Sequence, residues 1–213
     1  MLPDRKEAES FLRESEEIHP GPWADHCRTA AECAEKIARN CSGLDPEKAY
    51  IIGLLHDIGR RIETGTHFKH IVDGYECMME YGYDEVARVC MTHSFQIKNI
   101  ESYIGKIDVP EEKSEMVRTF LNHIELDDYD LLIQLCDAIA LPEGPVSMEK
   151  RLRDIEERYG SYPEGKRQRC YELKAYFEEK MGRLTSELSD MFAKSHELED
   201  EIRKKLGAIG YEI

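Results

Sequence analysis

Two adjacent residues, His56 and Asp57, lie near the end of the most apolar stretch of the chain, residues 50–59. Imidazole nitrogens and carboxylate oxygens together suit a divalent first-row transition metal such as manganese, iron, cobalt, nickel or zinc, whereas a dedicated calcium site is built from oxygens. Two further residues of these types, His26 and Asp137, lie in segments with helical periodicity. These four residues form a candidate metal site.

The elements that must position these residues are helices. A helix predicted from about Trp23 to Asn40 places His26 beside an apolar stripe. Asp45-Pro46 supplies an N-cap and a first-turn proline for a second helix, which the sequence predicts to end at Gly59. Asp137 belongs to a later, apolar helix. We expect the three helices to pack around one site.

His56 and Asp57 can serve one ion only at the end of a helix. Adjacent helical residues point about 100° apart, so the two side chains cannot share one face of a regular helix. Where the helix ends, both can turn toward an ion between three helices. His26 and Asp137 would then close the site from the flanking helices.

Helical periodicity covers nearly the whole chain, and we find no alternating strand pattern and no repeat. The predicted fold class is therefore all-α. Beyond Gly144-Pro145 the composition changes to charged amphipathic helices, the last with an apolar stripe from Leu173 to Met191. We therefore divide the chain into a domain of residues 1–145 and a helical extension of residues 146–213, which packs on this domain or forms an interface such as a homodimer contact.

Composition limits the classes of partner and compartment. A formal net charge of −15 argues against a nucleic-acid polymer, because lysine and arginine drive binding to the phosphate backbone. A small phosphorylated ligand remains compatible if positive charge is concentrated locally.

Seven cysteines without a CxxC pair favour reduced core thiols. We find no leader and no apolar run of membrane-spanning length, so we expect a cytoplasmic protein without a membrane partner.

The ordered set of a histidine, a later His-Asp doublet and a distant aspartate resembles the signature of the HD-domain metal-dependent phosphohydrolases. The resemblance covers roughly residues 20–145, and its most specific part surrounds the doublet. It implies an HD-domain helical bundle and one or two bound divalent transition metals. It also implies hydrolysis of a phosphate ester or anhydride, with His26, His56, Asp57 and Asp137 as metal ligands.

Two more histidines, His70 and His93, look like the additional histidines of binuclear members of this family. They could hold a second metal or contact phosphate. Each also makes sense as an ordinary residue at a helix terminus, where its charge or hydrogen bonds serve the backbone. The choice between one ion and two therefore depends on these two side chains.

Residues beside the doublet are candidates for catalysis. Asp57 can orient the attacking water, because a carboxylate that shares a metal with that water already reaches its proton. Arg60, Arg61 and Arg28 could each neutralise substrate phosphate, and we favour Arg60. Arg60 and Arg61 have an ordinary interpretation as well, as cations that complement a helix dipole.

The leading hypothesis is a metal-dependent phosphomonoesterase or phosphodiesterase that acts on a small nucleotide or phosphorylated metabolite. Two alternatives stay open: an HD-fold diiron oxygenase, and a non-catalytic regulatory module that binds metal or nucleotide. The cyclic-dinucleotide subgroup of the family carries a Gly-Tyr-Pro segment, but here Gly74-Tyr75 is followed by Glu76. That substrate is therefore not assigned.

Overall fold

The computed structural model describes residues 1–62 and 67–208. In these ranges the chain is helical apart from turns and one pair of two-residue strands, β1 (Ala140–Leu141) and β2 (Gly144–Pro145), which are antiparallel. This confirms the predicted all-α class. The helices are α1 (Arg5–Ile18), α2 (Trp23–Ala38), α3 (Pro46–Leu55), α4 (Lys69–Glu80), α5 (Asp84–Thr92), α6 (Glu111–His123), α7 (Asp128–Asp137), α8 (Met148–Tyr159) and α9 (Glu164–Ala208), with short 3-10 turns at Ile58–Arg61 and Ile100–Ser102.

The core is organised around α3, which is apolar on nearly every face. Its residues from Ile51 to Leu55 are all buried, and it contacts α1, α2, α5 and α7. The contact with α2 is especially close, because a Cβ atom added to Gly53 would lie 3.0 Å from Ala31 Cα. A helix apolar all round belongs at the centre of a bundle, and here it places its C-terminal end among the helices that carry the candidate ligands.

The end of α3 differs from the prediction. The α-helix stops at Leu55 rather than at Gly59, and His56 is its C-cap residue. Asp57 has φ −107° and ψ 18°, outside the helical range, and a 3-10 turn follows it. The two side chains therefore leave a helix terminus, which allows both to reach the same site.

Gly59 explains why the chain turns where it does. A Cβ atom at this position would lie 2.0 Å from the carbonyl oxygen of His70 and 2.5 Å from the amide nitrogen of Gly74. The turn is therefore pressed directly against the backbone of α4, and no larger residue fits without displacing one of them. The glycine that looked like a helix C-cap is a packing residue between two chain segments.

The first part of α9 and the helix α8 share the apolar cluster of the core. Leu152, Cys170, Leu173 and Phe177 are buried in the same cluster as the inward faces of α2, α3 and α7. Farther along α9 the structure describes few side chains. The predicted continuation of the stripe falls outside the described side chains at Leu184, Leu188 and Met191.

Two further expectations concern the cysteines and the membrane. All seven cysteines are free thiols, and each is buried except the half-buried Cys77. Among the described residues, none of the helices combines the length and apolar character that crossing a bilayer requires.

The contact at Gly59 generates a stability prediction. We expect Gly59→Ala to lower the free energy of unfolding by at least about 2 kcal/mol, since backbone on α4 must move to admit the methyl group. Gly182→Ala in α9 is the matched control, because open space surrounds that position and alanine favours a helix by up to about 1 kcal/mol. Urea unfolding measures both. Equal stability of the two variants would contradict the packing role of Gly59.

Candidate metal centre

The structure brings together all six residues singled out as metal ligands. On one side, His26 Nε2 lies 3.0 Å from Asp137 Oδ1, and His56 Nε2 lies 3.9 Å from the same oxygen. The rings of His26 and His56 pack edge to face with centroids 5.3 Å apart. The first turn of α2, the end of α3 and the end of α7 therefore meet at one point, as the spacing of the signature predicted.

The second side of the cluster is formed around Asp57. Its Oδ1 lies 3.1 Å from His70 Nε2 and 3.4 Å from His93 Nε2, and those two nitrogens are 3.4 Å apart. The ligand atoms form two compact groups, one of His26, His56 and Asp57 and one of Asp57, His70 and His93, each within 4.8 Å. Asp57 belongs to both groups, so this geometry can accommodate one ion or two.

Each histidine points its Nε2 into the cluster because its Nδ1 faces a backbone carbonyl. His56 Nδ1 lies 2.7 Å from the carbonyl oxygen of Gly53, and His93 Nδ1 lies 3.0 Å from that of Cys90. His70 contacts the carbonyl of His67, and His26 Nδ1 lies 3.3 Å from a carbonyl on β1. A carbonyl oxygen only accepts, so Nδ1 carries the donated proton and leaves the Nε2 lone pair available for a metal.

The donor set fits a divalent cation. His56 Nε2 and Asp57 Oδ1 are buried and make no hydrogen bond, and leaving such an atom unsatisfied costs about 1–3 kcal/mol. His70 Nε2 and His93 Nε2 face each other and the Asp57 carboxylate, which places electron-rich atoms close together. A cation in each ligand group would satisfy these atoms, with Asp57 shared between the two groups. Nitrogen and carboxylate ligands in this proportion suit a transition metal better than calcium.

The protonation states of the histidines favour metal binding at neutral pH. Burial lowers the pKa of His56 to about 4. Burial and the nearby Arg60 lower the pKa of His70 to about 4 as well. Burial also acts to lower the pKa of His93, but the Asp57 carboxylate 3.4 Å from its Nε2 outweighs burial and the pKa is raised. The imidazoles of His56 and His70 are therefore neutral at pH 7 and ready to bind a metal. His93 holds a proton more tightly than these two, and a metal must displace that proton to bind there.

Both carboxylates of the cluster are ionised. Burial acts to raise the pKa of Asp57, yet the charge of Arg60 and the close contact with His70 outweigh burial and hold the pKa well below its usual range. Burial likewise acts to raise the pKa of Asp137, but the contact with His26 at 3.0 Å outweighs burial and holds that pKa well below its usual range. The cluster therefore presents anionic oxygens, which is the form that binds a cation.

Of the three arginines proposed for substrate phosphate, Arg60 is the one placed at the site. Its Nε donates a hydrogen bond to Asp57 Oδ2 at 2.6 Å, and it lines the cavity beside the cluster. Arg61 turns away, with its guanidinium 4.7 Å from the ring centre of Phe11. Arg28 forms ion pairs with acidic residues of α1 and its own helix.

The cluster opens into a cavity of about 480 Å³. One wall comes from α8 and from the segment that leads into α9, and it supplies residues that the sequence analysis did not single out. They are basic or aromatic and line the cavity together: Arg151, Arg158, Tyr159, Tyr162 and Lys166. Their sequence context gives no sign of this role, since the three cations lie in helices with many charged residues and Tyr162 lies in the short segment between those helices.

The amino-acid sequence of residues 23–141 matches the family model of the HD domain. The matched segment covers more than half of the chain and contains all six residues of the cluster. The chain therefore belongs to the HD-domain family. This confirms the resemblance proposed from the sequence.

Individual proteins show more limited similarity. Ribonuclease Y of Mycoplasma capricolum subsp. capricolum and that of Mycoplasma mycoides subsp. mycoides SC are each 33% identical over 89 residues, 42% of this chain. The match spans only 18% of the length of either relative. The crystal structure of a predicted HD superfamily hydrolase from an uncultured Thermotogales bacterium aligns with 86% of this chain and 92% of its own, at 22% identity and a TM-score of 0.40.

Removal of a central ligand should remove bound metal. We expect His56→Ala to weaken metal binding by at least about tenfold, because it deletes a buried Nε2 that has no hydrogen-bond partner in the protein. His123→Ala is the matched control, since His123 is exposed at the end of α6. Elemental analysis of the purified variants measures their metal content. Equal metal in both variants would contradict the site, and an unchanged content in His70→Ala would exclude His70 as a ligand.

The low pKa of His56 predicts a pH-dependent stability. In metal-free protein, the unfolded chain takes up a proton at His56 near pH 6.5 whereas the folded chain does so only near pH 4, so acidification between these values favours unfolding. Relative to His56→Asn, the wild type should lose up to about 3 kcal/mol of unfolding free energy over this window. Urea unfolding of both proteins at several pH values measures the difference. A difference that does not vary with pH would refute the assignment.

Proposed function

We propose that this chain is a metal-dependent phosphomonoesterase or phosphodiesterase that acts on a small nucleotide or another small phosphorylated metabolite. The observation that carries the proposal is the pair of ligand groups that share Asp57, with Arg60 hydrogen-bonded to that same carboxylate. When bound, a divalent metal lowers the pKa of a coordinated water and polarises a phosphoryl oxygen. We propose His26, His56, Asp57 and Asp137 as its ligands, and His70 and His93 with Asp57 as those of a second ion.

Asp57 has a second role in this proposal. Its carboxylate stays ionised and is held in place by Arg60, so it can accept a hydrogen bond from the attacking water and fix the direction of attack. A carboxylate with so low a pKa is a weak proton acceptor at neutral pH. Asp57 therefore orients the water more effectively than it deprotonates it.

Arg60 supports the choice of phosphate as the reacting group. Its guanidinium stays charged at all relevant pH values, lines the cavity and lies beside the cluster. A planar guanidinium matches the geometry of phosphoryl oxygens and stabilises the charge that builds on them during transfer. Oxygen activation by a diiron centre would use the same ligands but gives no reason for a cation at this position.

Cavity size and charge support a small substrate. A cavity of about 480 Å³ is in the range of ordinary small-molecule sites. Two similar proteins are named ribonuclease Y, a name that concerns RNA, but the net charge of −15 disfavours contact with a long phosphate backbone. We therefore favour a nucleotide or metabolite over an RNA strand.

The proposal is tested by hydrolysis of para-nitrophenyl phosphate and of bis(para-nitrophenyl) phosphate in the presence of manganese, cobalt, nickel or zinc. We expect release of nitrophenol, and Arg60→Gln should lower kcat/KM at least about tenfold through loss of a charged contact to phosphate. Arg61→Gln is the matched control and should stay within about twofold, because Arg61 faces Phe11 outside the cavity.

Several outcomes would overturn the proposal. Turnover that survives in His56→Ala would show that the cluster is not the active site. Iron-dependent oxygen consumption without phosphate release would favour the diiron oxygenase. Nucleotide binding without turnover across all four metals would favour a regulatory module. Efficient cleavage of a single-stranded RNA, with none of the small esters cleaved, would replace the small substrate with a polymer.

A further inference from the structure

Beyond the metal cluster, the cavity carries a concentration of positive charge that is unusual for this chain. Four cations line it, whereas the whole protein has a net charge of −15. Asp57 and Asp137 are occupied by the cluster, which leaves Asp154 and Glu143 as the acidic lining residues that remain. Arg60 lies at the metal end. The other three cations, Arg151, Arg158 and Lys166, belong to α8 and α9, apart from the helices that supply the ligands.

Lys166 is the most deeply buried of these cations, with 4% of its surface exposed. Its Nζ donates a hydrogen bond to the carbonyl oxygen of Ser94 at 2.9 Å, which uses one of three donors. Among the described residues it forms no ion pair within 4 Å. Burial lowers the pKa of Lys166 to about 8, against the opposing effects of Cys170 and Asp137, so it is still mostly charged at neutral pH. A buried ammonium without a carboxylate partner is costly unless a ligand supplies the anion.

Arg151 provides the second observation. Its side chain is 12% exposed, and Nη1 donates a hydrogen bond to Asp154 Oδ2 at 2.7 Å. Its Nε is buried and has no hydrogen-bond partner. Arg158 Nη2 lies 2.6 Å from the same Asp154 oxygen, so one carboxylate serves two guanidinium groups. The wall therefore keeps a net positive charge and an unsatisfied buried donor.

We propose that Lys166 and Arg151 hold a second anionic group of the substrate, a phosphate or a carboxylate, while its scissile phosphoryl group lies at the metal cluster. This inference rests on the proposed function, because it places the reacting phosphate at that cluster. The preferred substrate class is a compact phosphate ester with two separated anionic centres. A monoanionic ester engages only the metal end of the cavity.

The test measures binding by calorimetry to metal-loaded protein, with three phosphonates that cannot be hydrolysed. Propylphosphonate has one anionic group, trimethylenebisphosphonate has two phosphonates, and phosphonopropionate has a phosphonate and a carboxylate. We expect at least one of the two-anion ligands to bind at least about tenfold tighter than propylphosphonate, as the addition of one charged contact allows. The tighter of the two identifies the second anion as phosphate or carboxylate.

Variants test whether the preference for two-anion ligands comes from the cavity wall formed by α8 and α9. Lys166→Met and Arg151→Gln should each reduce the affinity ratio between the two-anion ligand and propylphosphonate by about fivefold to tenfold. Lys174→Met on α9 and Arg153→Gln on α8 are the matched controls, since both residues are exposed and lie outside the cavity lining. The controls should keep the wild-type ratio. Because the two cations come from different helices, either variant decides the question if the other does not fold.

The inference is overturned if the wild-type ratio is close to one, or if it is unchanged in every folded variant of Lys166 and Arg151. Its failure is distinct from failure of the proposed function. Hydrolysis of the nitrophenyl esters without a preference for two anions removes only the second subsite. A preference that depends on Lys166, without hydrolysis of any ester, keeps the two-anion site and removes the esterase.

Discussion

The contact between Gly59 and the backbone of α4 is the constraint on which the centre depends. Because the turn after Asp57 is pressed against the carbonyl of His70, the main chain holds the His56-Asp57 doublet beside His70. The α-helix α3 ends at Leu55, and the 3-10 turn that follows brings Gly59 against α4. The absence of a side chain at Gly59 therefore allows the segment that carries the doublet to lie directly against the helix that carries His70.

The sequence predicted the class of fold and the members of the cluster better than it predicted local geometry. Apolar periodicity is sufficient to find helices, and the ligand types are uncommon enough in apolar helices to stand out, as His56 and Asp57 do. The predicted end of α3 was wrong because a glycine after a helix usually signals a C-cap. Gly59 is instead required by its close contact with the backbone of α4, which is distant in sequence. Helix propensity is a local property of the sequence and gives no information about a contact with a segment elsewhere in the chain.

The cationic wall could not be predicted for a different reason. Arg151 and Lys166 lie in helices with many exposed charged residues, and nothing local separates a cation that faces a cavity from one that faces water. What separates them is burial, which depends on how α8 and α9 pack on the core through residues such as Leu152 and Leu173. The same packing concentrates positive charge at one place in an acidic protein, which the net charge alone conceals.

The contacts of the four imidazoles with main-chain carbonyls have a consequence for how this protein can change. In many metal sites a carboxylate side chain orients each histidine, so mutation of that side chain weakens the site. Here the orienting atoms are the carbonyls of residues such as Gly53 and Cys90, which no side-chain substitution removes. The residues around the cavity are thus freer to diverge while the ligands keep their aim. An arrangement of this kind lets an unchanged metal centre act on different substrates during evolution, because substitutions in the cavity wall can alter substrate selectivity.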